Sequence, residues 1–161
     1  MIRLLTLAVL ALALVSTQAE SRSKRIHVTA VVVATFTGDL AKPAIGDRLI
    51  SRAELFDKHD EQVGTGAGVC TVISAPETPS PKDTVIQCLI SAVFDEGEIT
   101  FGAAVQLPEV GAVGQFSILG GTGKFRKARG EATLTVLSPN TQDAVFELEI
   151  DSERRHGKFE D

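Results

Sequence analysis

The sequence predicts an all-β fold, an eight-stranded antiparallel β-barrel, and three observations carry that prediction. Beyond residue 25 apolar and polar residues alternate with a period of two. No segment there keeps a helical period, and the breaks between alternating stretches carry Gly, Pro, Asp and Asn. Eight strands joined by short turns remove their exposed edges by closing on themselves, with an interior that holds side chains or one small ligand. A two-sheet sandwich is the alternative architecture.

The predicted strands are 26–36, 48–58, 62–74, 84–94, 98–107, 115–120, 129–138 and 142–150. In the fifth, Ile99, Phe101, Ala103, Val105 and Leu107 share one face, opposite Glu98, Thr100, Gly102, Ala104 and Gln106. In the eighth, Ala144, Phe146, Leu148 and Ile150 oppose Asp143, Val145, Glu147 and Glu149, the half-wet pattern of an antiparallel sheet. "DEGE" at 95–98 and "SPNTQD" at 138–143 read as tight reversals between paired neighbours. The proline-rich stretch 75–83 reads as one long loop at the mouth or the floor of the barrel.

Centring the hairpin around that loop on Pro79 places Cys70 directly opposite Cys88, with Ile73 facing Val85 and Ser74 facing Thr84. A Cys70–Cys88 disulfide follows, stabilising the fold by about 3 kcal/mol. The competing reading is two small buried thiols kept reduced.

At the N-terminus a single cation, Arg3, precedes an apolar run from Leu4 to Val15 and small residues ending at Ala19. This is the pattern of a secretory signal peptide over 1–19, cleaved near Ala19. The run is short for a bilayer span, which argues against a stable membrane anchor and for a secreted, extracellular protein. One β-barrel domain then occupies 20–150, and 151–161 reads as a loose polar C-terminal tail.

Without Arg3, 15 cations face 21 carboxylates, a formal charge of −6 that argues against nucleic-acid binding. Trp and Tyr are absent while Phe occurs eight times, so stacking on bases or sugars loses its usual tools. His27, His59 and His156 show no ligand spacing and the cysteines form no C-x-x-C, so no metal site is predicted. No Ser-His-Asp order or paired-carboxylate spacing supports hydrolysis.

The segment "SILGGTGKFRKARGEATL", 117–134, fails as a phosphate loop because Ile118 stands where the first Gly belongs and Phe125 follows Lys124. Gly120, Gly121 and Gly123 are instead expected to supply a positive-φ turn and a close approach between strands six and seven, with Gly130 marking a bend. The block resembles the GGTG-x-F-x-x-ARG-x-A signature of dirigent proteins and their relatives in the allene oxide cyclase barrel superfamily. "VGTGAG" at 63–68, "GEITFGAAVQL" at 97–107 and "DAVFELEI" at 143–150 extend the resemblance over 48–150. The two cysteines are similar to those of the shorter, bacterial-type members.

The resemblance implies an eight-stranded barrel, often a homotrimer and otherwise a dimer, that needs no cofactor. It implies an apolar cavity guiding a small hydrophobic reactive intermediate through cyclisation, as an isomerase does, or through stereoselective coupling. A lipocalin-like carrier and a structural barrel with a filled interior are the alternatives. Arg129 matches the Arg of ARG, which the resemblance places in the pocket, or else it pairs across strands with Glu131 or Glu147. Lys124 stands where dirigent proteins carry an Asp and reads as an exposed hairpin charge. Glu54, between Arg52 and Phe56, is either a buried general acid or base or a solvated outer carboxylate. Phe101, Gln87 and Phe146 are the candidate ligand contacts. If the Phe146 and Leu148 stripe fills the core, Glu147 and Glu149 are surface charges; if it packs an oligomer interface, they point inward.

Overall fold

In the computed structural model residues 21–39, 41–76 and 81–151 are described. The predicted signal segment and all of the predicted tail except Asp151 lie outside them. Eight strands form one closed antiparallel barrel in which every strand pairs with its sequence neighbours and β1 pairs with β8. They are β1 Ser21–Phe36, β2 Arg48–Phe56, β3 Gln62–Ser74, β4 Val85–Phe94, β5 Gly97–Gln106, β6 Val113–Gly121, β7 Arg129–Ser138 and β8 Thr141–Asp151. Short 3-10 turns, Pro81–Asp83 and Gly123–Phe125, interrupt two of the connections. The second carries the glycine-rich block across the end of the barrel, where Gly120 and Gly121 finish β6.

The first and last strands are longer than the sequence predicts. β1 begins at Ser21, where Arg22, Lys24 and Arg25 conceal the apolar rhythm, and in register Arg25 lies opposite Glu147 of β8. Arg25 Nε approaches the Glu147 carboxylate at 3.8 Å, so charge pairing accompanies the backbone ladder there. Asp151 belongs to β8 rather than to a tail.

Cys70 pairs with Cys88 in register and the two form a disulfide. Just beyond it a bulge between Val72 and Ser74 moves Ser74 opposite Val85, one residue away from the expected Thr84.

The inner face settles the alternation of every strand. Val28, Leu55, Val72, Ile86, Ile99, Phe101, Phe116, Ala132, Phe146 and Leu148 are buried, so the Phe146 and Leu148 stripe fills the core and Glu147 and Glu149 lie on the outer side. Five phenylalanines form a continuous chain of ring contacts. Phe125 touches Phe94 at 5.8 Å, Phe94 touches Phe146 at 6.4 Å, Phe146 touches Phe101 at 5.2 Å and Phe101 touches Phe116 at 5.7 Å. Their tilted and edge-on geometry adds to the burial of their area.

One end of the barrel is closed. Phe125, 1 % exposed, plugs it beneath Ile99 and Leu148, and the Lys24 ammonium stands 5.0 Å from the ring centroid of Phe125. Lys24 also meets Glu96, in the β4–β5 turn, at 3.0 Å, and Lys124 hydrogen-bonds the other carboxylate oxygen of Glu96. The hydrogen bonds from Lys124 and then Lys24 hold the Glu96 carboxyl down at about 2. A depressed carboxylate contributes stability above its unfolded-state value and loses it as the pH falls through the folded one. This latch therefore keeps its charge until about pH 2.

Candidate functional site

Ascending from the plugged end, the inward side chains become small. Ala30, Ala34, Ala53, Gly66, Ala92 and Ala144 occupy inner positions where the lower barrel has Val28, Ile99, Phe125 and Leu148. The difference in volume leaves a cavity of about 780 Å³ that opens at the upper rim. That is a typical size for a small-molecule site. A filled interior thus describes only the lower half of the barrel.

The wall is apolar over most of its depth. Leu55, Ile86, Phe101, Phe116, Phe146 and the Cys70–Cys88 bridge line it, and Phe36, Leu49, Leu107, Val110 and Pro139 surround its upper part. Polar lining groups come from Ser51, Ser91, Gln106, Asn140 and Gln142. Glu109, on the β5–β6 connection, is the only charged residue in the lining among the described residues. Among the described residues no His, Lys, Arg or free Cys contributes, and both cysteines are bonded to each other. Among the described residues no cluster of His, Cys, Asp and Glu could hold a metal ion.

Of the residues singled out from the sequence, Phe101 and Phe146 lie in the cavity wall and touch each other. The other three lie outside the cavity, for Glu54 as the second of the two alternatives has it. Glu54 is exposed on the outer face, because Ser51, Ala53 and Leu55 turn inward and Glu54 has the opposite parity. Gln87 is also exposed and lines a shallow outer groove with Val69, Thr71, Leu89, Gly102 and Leu119. Its neighbour Cys88 turns inward, which forces Gln87 outward. Arg129 sits at the first residue of β7, near the closed end, and its guanidinium donates to the Ala128 carbonyl at 2.8 Å. It is not part of the lining, and Glu147, one of its two expected partners, meets Arg25 instead.

Ser51, Gln142 and Glu109 were not singled out. Ser51 and Gln142 do leave a trace, as polar residues on otherwise apolar inner faces, Leu49-Ala53-Leu55 and Ala144-Phe146-Leu148. Glu109 leaves none, since it stands in a connection without periodicity.

The outer surface is divided. Across β2, β3 and β4, Ile50 pairs with Val69 and Val69 with Leu89; Leu89 then faces Gly102 of β5, with Leu119 of β6 beside it. These four large side chains are exposed. Toward the closed end the outer positions of β1, β7 and β8 are charged, with Arg25, Arg129, Glu131, Glu147 and Glu149 together with His27, whose Nε2 lies 2.6 Å from the Asp143 carboxylate, while toward the opening Val31, Val33 and Leu137 are exposed.

No curated protein matches the sequence. Solved structures do. A pyocyanin demethylase shares 22% identity with a TM-score of 0.62, covering 78% of this chain and 99% of its own. AbnU, an exo-specific intermolecular Diels-Alderase, shares 16% identity with a TM-score of 0.67, covering 81% of this chain and 98% of its own. The pterocarpan synthase dirigent protein GePTS1 shares 16% identity with a TM-score of 0.58, covering 82% of this chain and 91% of its own. At such identities the likeness is one of fold. The family description "allene oxide cyclase barrel like domain" matches residues 27–147, from within β1 into β8, and so takes in every described residue of the cavity wall. This chain belongs to the allene oxide cyclase barrel like family.

Proposed function

We propose that this protein is a secreted barrel that binds a small, largely apolar reactive compound in its open-ended cavity and directs its cyclisation or stereoselective coupling. The observation that carries this reading is the cavity of about 780 Å³, walled by Phe101, Phe116, Phe146 and aliphatic side chains and closed at its lower end. The similar folds of a Diels-Alderase and a pterocarpan synthase dirigent protein support it. Such a cavity excludes water and holds a flexible molecule in a near-attack shape. Among the described residues no His, Lys or free Cys lines the wall, which favours shape and orientation over proton transfer by a basic side chain. A disulfide accords with an oxidising compartment, and no helix among the described residues is long and apolar enough to cross a membrane.

Ala53→Phe tests the cavity directly. Ala53 lines the hollow half, and a phenyl ring there fills space a ligand would need. The variant is expected to bind the neutral fluorophore N-phenyl-1-naphthylamine at least about 10-fold more weakly than the parent, with the melting temperature changed by no more than about 5 °C. Undiminished binding sinks the reading. If a bound reactive compound cyclises at its solution rate and with its solution stereochemistry, the barrel is a carrier.

We also propose that the protein self-associates, as a trimer or dimer, through the apolar outer row of Ile50, Val69, Leu89 and Leu119. The row is exposed and runs unbroken from β2 through β4 to Leu119, and a second copy of the chain offers the same apolar row to cover it. Light scattering on the secreted protein is expected to give two or three times the chain mass, and Leu89→Glu to give one. A monomeric parent protein would refute this.

A further inference from the structure

The charge pattern of the cavity goes beyond its size. We infer that the site takes an uncharged apolar body and that its rim sorts ligands by the charge of their head, accepting a cation and rejecting a carboxylate. The inference rests on the cavity being a ligand site.

A carboxylate drawn into the hollow half loses hydration and meets no cation among the described residues. Its partners there are limited to hydroxyl and amide groups such as those of Ser51, Gln106 and Gln142. Arg48, at the upper end of β2, is the one strand cation near the opening; it has the outward parity, one residue before the inward Leu49, and is absent from the lining. Lys42 and Lys82, on the upper connections, are exposed and also absent from it.

At the rim the sign is negative. Glu109 is in the lining, and among the described residues no Lys or Arg pairs with it. Its loop is fixed: the Ala112 amide donates to the Glu109 carbonyl at 2.9 Å, the Gly111 amide to the Val136 carbonyl at 2.8 Å, and the Val136 amide to the Ala112 carbonyl at 2.9 Å. Loop 107–112 is therefore a ledge tied to β7, and it carries the exposed Glu109 side chain at the opening. A bound molecule whose body fills the apolar half has its far end at this ledge. There a cation gains Coulomb attraction and an anion meets repulsion, both weakened by salt.

The test uses three probes that share a dansyl group and a six-carbon chain and end in a primary amine, a methyl amide or a carboxylate. Each is titrated at pH 7 and low salt into the parent protein and into Glu109→Gln, with binding read from dansyl emission. In the parent, the amine is expected to bind about 10-fold more tightly than the carboxylate, with the amide between them. In Glu109→Gln, most of the difference between amine and amide should vanish, while the carboxylate remains weakest because the wall still offers it no cation. Equal affinities for amine and carboxylate in the parent overturn the inference, and an unchanged amine preference in Glu109→Gln overturns the role of Glu109. If none of the three probes binds, the cavity reading itself fails, an outcome distinct from binding without discrimination.

Discussion

Replacing Gly130 with Ala is expected to lower the melting temperature by about 15 °C or more, or to prevent soluble expression. Gly130 lies in β7 with φ at 127°, a backbone conformation that L side chains rarely adopt. A Cβ there would also overlap the carbonyl oxygen of Glu147 on β8. Relief requires β7 and β8 to part, which opens one of the two seams that hold β8 in the closed barrel, the other being with β1. Backbone strain and overpacking together cost about 4 kcal/mol. Gly111 is the control, because its φ is 86° but nothing lies within 4 Å of an added Cβ. Gly111→Ala should cost only the strain, about 1–2 kcal/mol. Thermal unfolding of both variants beside the parent checks this; equal losses would show that the contact with β8 does not matter.

The second large effect is expected from the bridge. Replacing Cys70 and Cys88 together by Ala should remove about 3 kcal/mol, a fall of about 10 °C in melting temperature for a domain of this size. The bridge joins β3 to β4, and no ion pair among the described residues spans these two strands. Both cysteines line the cavity, so the double variant should also bind N-phenyl-1-naphthylamine more weakly. A double variant that melts within about 3 °C of the parent would place the stability of this hairpin in its ladder and packing alone.

These positions differ in how plainly the chain announces them. The inner face of β5 was readable because Ile99, Phe101 and Val105 recur at the strand period, and a period of two has only one way to be buried. The Cys70 and Cys88 register followed from the symmetry of a hairpin. The bulge after Val72 was not legible, since an extra residue leaves no mark on composition. The site was harder. A hollow is made by what is small, so the inward Ala53 and Ala92 look less like core than the outward Ile50 and Leu89 do. For the same reason Glu54, beside Phe56, suggested a buried carboxylate although both have the outward parity. Arg129 was placed by its motif, and a motif carries no information about distance from the cavity. Glu109 belongs to the loops, where charge can be counted but its position cannot.

The plug of Phe125 and its Lys24–Glu96–Lys124 latch bear on traffic as well as on stability. A barrel sealed below and open above has one doorway. Whatever leaves must retrace the path by which the next molecule arrives, so arrival and departure cannot overlap and a lingering product competes directly with fresh substrate. A polymer cannot be threaded through; at most its end can be inserted. The barrel handles molecules one at a time.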